Sequence, residues 1–347
     1  GVKRVKKKIV LAAVVLCLLA GCKGSEPTEY ETGLENLKKQ EYTQAIENFQ
    51  NAISEGGHGV QSWRGIGIAW TEQGIFDKAQ EAFTTALGLT ERSEKALKTD
   101  LYFYLADALY HQGEYQKCVE TCEELLKLQK KKDAYFLRGS AYLHMDEYKK
   151  AHSDFSRVVS GSGDYEDYLD VYKVYKSCDL NADGSAYLES ALEIKAKSAE
   201  DIYNEGRAYY YLEEYEKAEK MLKKAWKEEY APALVYLGKV YLDAGEPQKA
   251  SDIYQKCLQQ KGLEAEGYNG LAYCSVKQED YTGALSYVEK GLKEKDKEVQ
   301  QALLFNEIVI YEKQKDFATA KTKMQEYLKQ YPADEEAVRE NYFLQTR

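Results

Sequence analysis

One loop of the sequence carries residue types that bind a divalent cation. Asp179, Asn181 and Asp183 alternate with apolar residues and precede Gly184, and alternating oxygen ligands before a glycine are typical of the first half of a calcium-binding loop. The acidic ligand that closes such a loop belongs twelve residues from its start, where this sequence has Ser190. A polar turn between two helices, with an N-capping aspartate, explains the same residues. Both interpretations stay open, and we predict no other metal and no cofactor.

The cysteines show no spacing typical of a disulfide framework or a catalytic centre. Five of the seven cysteines follow Cys22, and an odd number argues against systematic pairing. Cys118 and Cys122 are four residues apart on one predicted helix face, where a disulfide is geometrically awkward. We interpret them as small apolar fillers. The sequence also groups no nucleophile, base and oxyanion donor, so we do not expect an enzyme.

The amino terminus has the layout of a targeting segment. A basic stretch from Lys3 to Lys8 precedes an apolar run from Ile9 to Leu19, which is short for a membrane span and typical of a signal-peptide core. The run ends in Leu19-Ala20-Gly21-Cys22. This ending resembles the lipobox of bacterial lipoproteins. The alternative is an ordinary secretory signal with an incidental cysteine.

The lipobox resemblance implies a signal peptide over residues 1–21 and lipidation of Cys22 through a diacylglycerol thioether. Residues 22–29 then form the lipidated cysteine and a short tether of roughly 25 Å at full extension. Several acyl chains give a stable anchor where one chain gives only marginal binding. The expected location is the bacterial cell membrane, with the protein lipid-anchored on its extracytoplasmic face.

Composition favours a nearly all-helical protein. The 347 residues include only four prolines, and 31% are charged. The net charge is -10, and the body beyond Gly21 is more acidic still because the segment before it is basic. So acidic a body is a poor candidate for binding nucleic acid through its surface. Tyrosine is abundant, with 31 residues against nine phenylalanines. This is typical of thin helical layers, where a tyrosine ring can be buried while its hydroxyl stays in contact with water.

A unit of about 34 residues recurs along the chain. It is clearest at Val60 to Ser93, where Gly67 stands twelve residues before Ala79 and Phe83 stands four after it. This spacing predicts two amphipathic helices joined by a turn at Gly74. The slot of Ala79 is filled in the other copies by Ala45, Cys118, Ala151, Gly184, Ala218, Ala250, Ala284 and Ala320.

The unit resembles the tetratricopeptide repeat, which has a period of 34. The matching residues are Trp63, Ile66, Gly67, Trp70, Ala79, Phe83 and Ala86, with Pro332 closing the last copy. The resemblance implies an all-α fold, an α-solenoid forming a right-handed superhelix of about nine helix-turn-helix repeats. We place these repeats within residues 26–332, at about 26–59, 60–93, 99–131, 132–164, 165–198, 199–230, 231–264, 265–300 and 301–333. Residues 334–347 are predicted to form a C-terminal capping helix.

The same resemblance implies where a partner would bind. In this family the first helices of the repeats line a concave groove, and the spacing selects aromatic and basic residues for it. These are Arg64, Phe103, Tyr110, Phe136, Tyr203, Arg207, Tyr210, Tyr211, Tyr273 and Phe305. The alternative is that the rings pack between neighbouring first helices.

The expected function is that of a membrane-anchored extracytoplasmic scaffold that binds a peptide or protein partner in its groove. The alternative is a lipoprotein that binds or helps to assemble an envelope polysaccharide through the same rings. Nucleic acid is not an expected partner.

Overall fold

The computed structural model describes residues 27–332 and 334–347. This part of the chain contains 19 α-helices and no strand, so the all-α prediction is confirmed. The helices are α1 (Glu29–Lys38), α2 (Tyr42–Ser54), α3 (Gly59–Glu72), α4 (Phe76–Leu89), α5 (Lys95–His111), α6 (Tyr115–Leu128), α7 (Lys132–His144), α8 (Tyr148–Val159), α9 (Tyr165–Ser177), α10 (Asn181–Ala191), α11 (Ala199–Tyr211), α12 (Tyr215–Lys227), α13 (Ala233–Asp243), α14 (Pro247–Cys257), α15 (Glu264–Lys277), α16 (Tyr281–Lys293), α17 (Lys297–Lys313), α18 (Phe317–Gln330) and α19 (Glu335–Gln345).

Cys22 and the segment before it lie outside the described residues. None of the helices from α1 to α19 combines the length and apolar character that crossing a bilayer requires.

The chain divides into two compact units. In the described part, unit 1 comprises residues 27–162 and 170–184, and unit 2 comprises residues 163–169 and 185–347. Within each unit, consecutive helices pack against one another. The first helices of successive pairs also touch directly, as α1, α3, α5 and α7 do in unit 1 and α11, α13, α15 and α17 do in unit 2. Each unit therefore carries a contiguous row of first helices.

Every helical pair from α1–α2 to α17–α18 turns through one residue in the left-handed backbone region. The φ angles of these residues lie between 58° and 77°. Glycine adopts this region without steric cost, which accounts for Gly74. The nine residues are Gln40, Gly74, Gly113, Asp146, Asp179, Glu213, Gly245, Glu279 and Lys315.

A small residue on the first helix of a pair admits a large side chain from the second. A Cβ atom added to Gly67 would lie 2.4 Å from Cε1 of Phe83, and one added to Gly238 would lie 2.4 Å from Cζ of Tyr254. Ala79 and Phe83 are fully buried. The small residues are therefore required by the close approach of the two helices, as the repeat pattern predicts.

Helix α19 follows the last pair and buries Ala337 and Leu344 against the cluster that contains Tyr327. Its N-cap is Asp334, whose side chain accepts a hydrogen bond from the backbone N–H of Ala337 at 3.1 Å. The Tyr327 hydroxyl and the Gln301 amide donate to the other carboxylate oxygen of Asp334. This network connects the start of α19 to α17 and α18.

Candidate functional site

The aromatic groove candidates of unit 1 are mostly buried. Phe103 and Phe136 are each 8% exposed, and the Phe136 ring lies 6.0 Å from the ring of Phe155 on the second helix of its pair. The first helices that carry them, α5 and α7, also touch directly. These two rings offer a ligand little surface.

The polar groove candidates of unit 1 bind residues of the next first helix. Arg64 Nε donates to Asp100 at 2.5 Å, and its guanidinium lies 5.2 Å from the centre of the Tyr104 ring. The Tyr110 hydroxyl lies 3.0 Å from Nε2 of His144. These contacts join α3 to α5 and α5 to α7. Their evident role is to hold successive repeats together.

Three predicted residues of unit 2, Tyr203, Tyr210 and Tyr211, belong to a tyrosine cluster. We define this tyrosine cluster as Tyr203, Tyr210, Tyr211, Tyr230 and Tyr236. The ring of Tyr236 lies 5.7, 5.5 and 6.2 Å from the rings of Tyr203, Tyr210 and Tyr211. The rings of Tyr203 and Tyr230 are 5.0 Å apart. All five tyrosines are half-buried, so the cluster is packed but retains some exposed surface.

Arg207 lies at the base of this cluster and is 7% exposed. Its guanidinium carbon is 5.3 Å from the ring centres of both Tyr203 and Tyr236. Its Nη1 donates to Asn204 at 2.8 Å and also to Glu166, which is 41 residues away. A buried charge with these partners is fixed in place. Arg207 therefore supports the rings and is not itself open to a ligand.

Three hydroxyl groups of the cluster are ordered by hydrogen bonds. The Tyr211 and Tyr236 oxygens are 3.0 Å apart, and the Tyr210 hydroxyl donates to Asp243 at 2.7 Å. Lys239 Nζ lies 4.7 Å from the centre of the Tyr236 ring. Burial opposes ionisation of Tyr236, but the positive charges of Arg207 and Lys239 lower its pKa below the ordinary value. Either hydroxyl of the Tyr211–Tyr236 pair can donate to the other.

The two remaining candidates of unit 2 have different environments. Phe305 packs against Tyr327 with ring centres 5.7 Å apart. Tyr273 lies on α15 and is 47% exposed. Of the predicted groove residues, it is the one most accessible to a partner.

The calcium candidate does not have the form of a loop. Helix α10 begins at Asn181, so Asn181 and Asp183 lie in its first turn, and Asp179 is the left-handed turn residue with φ 58°. A Cβ atom on Gly184 would lie 2.7 Å from Cβ of Tyr175. No group of three histidine, cysteine or acidic residues able to hold a metal occurs within residues 27–332 and 334–347. The arrangement has the features of a helix-to-helix turn.

Sequence reasoning did not find Tyr230, Tyr236 or Glu166. Tyr236 follows Tyr203 by 33 residues where the local repeat interval, from Gly206 to Gly238, is 32, so Tyr236 lies one position beyond the slot of Tyr203. Glu166 carries no signal in the sequence because its pairing with Arg207 depends on how successive helices pack.

Comparison with known families identifies the repeats. Three tetratricopeptide repeat models match residues 30–94, 99–132, 203–265, 236–299 and 302–334, which together are more than half of the chain. The protein belongs to the tetratricopeptide repeat family. Comparison with curated proteins finds no match.

Among solved structures, this tetratricopeptide repeat protein is similar to yeast Tom70, with a TM-score of 0.55 and 17% identity over 97% of this chain and 74% of Tom70. This likeness shows the fold. A tetratricopeptide repeat protein from Parabacteroides merdae ATCC 43184 has a TM-score of 0.46 and 17% identity, over 72% of this chain and 99% of its own.

Proposed function

We propose that this protein is a membrane-anchored scaffold that binds an extended peptide segment of a partner protein on the first-helix row of unit 2. The tyrosine cluster is the observation that carries the proposal. Its five tyrosines are half-buried, and three of their hydroxyls and Arg207 are held by hydrogen bonds before any ligand arrives. A preorganised aromatic surface loses little conformational entropy on binding.

Rings with exposed faces and ordered hydroxyls also suit sugars, which stack on aromatic surfaces. A polysaccharide of the cell envelope is therefore the second candidate ligand. Peptide is preferred because first helices of tetratricopeptide repeats commonly present side chains to polypeptides, and because this row also carries Asp243 and Lys239 for charged side chains.

The test compares both ligand classes on the detergent-solubilised full chain. Fluorescent peptide arrays and cell-wall glycan fragments are titrated against the wild type and against a Tyr210→Ala, Tyr211→Ala double variant. Tyr148→Ala is the control, because this tyrosine is 48% exposed but begins a second helix in unit 1. We expect peptide binding that the double variant weakens about tenfold or more and the control leaves unchanged. Glycan binding alone, or equal peptide binding by all three proteins, refutes the proposal.

The anchor is the second part of the proposal and rests on residues 3–22 of the sequence. A thioether-linked lipid at Cys22 and a tether of about seven residues would keep the repeats within roughly 25 Å of the bilayer. Cys22→Ser should give an unlipidated product that leaves the membrane fraction, with Cys178→Ser as the control. Membrane retention of the Cys22 variant after a carbonate wash refutes the anchor without affecting the peptide-binding proposal.

A further inference from the structure

The second helices of unit 2 are rich in lysine. Helices α12, α14, α16 and α18 together contain twelve lysines and five acidic residues. The first helices of the same unit, α11, α13, α15 and α17, contain five basic and nine acidic residues. In unit 1 the second helices α2, α4, α6 and α8 contain six basic and seven acidic residues. The separation of charge between the two sets of helices is therefore a property of unit 2.

The four second helices of unit 2 form a layer beside the first-helix row. Each of them packs against the helix before it and the helix after it, whereas the first helices also touch one another. The buried side of α12 carries Ala218, Leu222 and Ala225. Its opposite side carries Lys220, which is exposed. The lysines are thus concentrated on the outer side of this layer.

Seven lysines of these helices take part in none of the ion pairs found there. The ion pairs use Lys217, Lys223, Lys249, Lys293 and Lys323. The other seven are exposed, except for one that is half-buried. We call them the lysine face, which consists of Lys220, Lys224, Lys227, Lys256, Lys290, Lys321 and Lys329.

The densest part of the lysine face lies on α12. Lys220, Lys224 and Lys227 follow one another at intervals of four and three residues, so they share one side of the helix. The acidic Glu219 of the same helix accepts hydrogen bonds from Lys223 and from the Tyr241 hydroxyl. Its charge is therefore compensated by groups outside the lysine face.

We propose that the lysine face binds the surface of a bilayer that contains anionic phospholipids. Lysines close to such a surface are attracted by the negative headgroups. The Debye length is about 8 Å at physiological salt, and packed helices lie about 8 to 10 Å apart. The acidic first-helix row is therefore largely screened from a bilayer that touches the lysine face, although the whole chain has a net charge of -10.

The bilayer is the occupant that the proposed anchor supplies, and this choice rests on that part of the proposed function. A lipid at Cys22 would keep the chain at the membrane, so a weak attraction of the lysine face is sufficient. In the described residues, none of the strongly exposed large hydrophobic side chains lies on α12, α14, α16 or α18. The contact is therefore electrostatic, and it would turn the first-helix row of unit 2 away from the bilayer.

Energy transfer from Trp226 to a dansyl-labelled phospholipid measures the approach of α12 to the bilayer. Trp226 precedes Lys227, and Trp63→Phe with Trp70→Phe leaves it as the only tryptophan. The full chain in this background is reconstituted into phosphatidylcholine vesicles with no phosphatidylglycerol or with about 30% of it. We expect stronger transfer with phosphatidylglycerol. The excess should disappear in about 1 M salt, where the Debye length is about 3 Å.

A Lys220→Gln, Lys224→Gln, Lys227→Gln triple variant should lower the ratio of docked to undocked protein tenfold or more, because each lysine contributes about fivefold. Its charge-matched control replaces three exposed lysines on first helices of the same unit: Lys277→Gln, Lys297→Gln and Lys313→Gln. The control should keep the excess transfer. Equal losses in both triple variants would show a response to net charge alone and would overturn the lysine face.

The neutral vesicles separate the anchor from the lysine face. Equal transfer in neutral and anionic vesicles overturns the lysine face, and the anchor stands if the protein sediments with the neutral vesicles. Protein that does not sediment with them refutes the anchor, while its transfer in anionic vesicles still decides for or against the lysine face. Binding of soluble polyphosphate, without excess transfer in anionic vesicles, would assign the lysines to a soluble polyanion and overturn the bilayer as their partner.

Discussion

Gly67→Ala should destabilise unit 1, although alanine is the better helix former. The added Cβ would lie 2.4 Å from Cε1 of Phe83 and 2.7 Å from its Cδ1 and Cζ. Ordinary carbon contacts begin near 3.5 Å, so the ring must move by about 1 Å. Phe83 is fully buried and stacks on Tyr104 with ring centres 5.1 Å apart. The ring therefore has no free volume into which it can move.

Two terms of opposite sign determine how much Gly67→Ala changes the free energy of unfolding. Overpacking of a close-packed core costs about 1 to 3 kcal/mol, and replacing a helical glycine with alanine returns about 1 kcal/mol. The net loss for unit 1 should be at most about 2 kcal/mol. Gly88→Ala is the matched control, because a Cβ at Gly88 would have no neighbour within 4 Å. The same substitution there should stabilise the helix.

Urea unfolding followed by tryptophan fluorescence measures both variants. The chain has three tryptophans, of which Trp63 and Trp70 lie in α3, so a Trp226→Phe background makes the signal report on unit 1. A Gly67→Ala variant as stable as the Gly88→Ala variant would refute the close approach of α3 and α4. The double variant with Phe83→Leu should lose less stability than the two single losses added together, because the smaller side chain makes room for the new methyl group.

Three further outcomes are expected. Burial, together with the charge of Glu340, raises the pKa of Glu312 to about 7. The packing of α19 should therefore be strongest below about pH 4.5 and weaken as pH rises through 7. Hydrogen exchange of the α19 amides measures this change. Arg138→Ala should cost about 3 kcal/mol or more in thermal unfolding, because its bidentate partner Asp154 is 3% exposed and would be left unpaired. Lys315→Gly should raise stability by about 1 kcal/mol, because Lys315 has a left-handed backbone.

Each outcome has a control that separates it from a general effect. Glu312→Gln should remove the pH dependence of amide protection in α19, measured relative to the intrinsic exchange rate. Amide protection in α2 should be the same in the variant and the wild type. Lys127→Ala removes an exposed ion pair with Glu124 and should not change unfolding. Lys313→Gly, two residues before Lys315 but inside helix α17, should destabilise the protein. A pH dependence that persists in the Glu312 variant, equal losses from Arg138→Ala and Lys127→Ala, or the same sign for the two lysine-to-glycine variants would contradict the corresponding argument.

The repeat could be predicted because its steric requirement is local. Gly67, Ala79 and Phe83 meet within one helical pair, so their spacing in the sequence carries the whole packing rule. The turn at Gly74 follows from the same pattern. Contacts between repeats are different, because they depend on the packing of separate pairs, and the pairing of Glu166 with Arg207 has no local signature.

The groove residues show the same limit. The spacing of the repeat selected Phe103 and Phe136 for the surface, but both are buried, and the Phe136 ring packs near Phe155 of the second helix in its own pair. The same spacing did not select Tyr236. The repeat interval from Gly206 to Gly238 is 32 residues, so Tyr236 lies one position beyond the slot that Tyr203 occupies. A periodic rule places residues on a helix, whereas the exposure of each residue depends on the side chains of the next helix.

Polar contacts one repeat apart explain why the surface that we propose for binding is restricted. Four hydrogen-bonded pairs join neighbouring first helices across separations of 33 to 37 residues: Arg64 with Asp100, Tyr110 with His144, Tyr210 with Asp243, and Asn269 with Asn306. These groups satisfy one another, so a partner that displaced them would have to replace hydrogen bonds that already exist. Ring faces and the outer lone pairs of fixed carboxylates remain for recognition at no such cost. On the first-helix row of unit 2, the tyrosine cluster and Tyr273 supply the ring faces and Asp243 supplies the carboxylate, which is why we place peptide binding there.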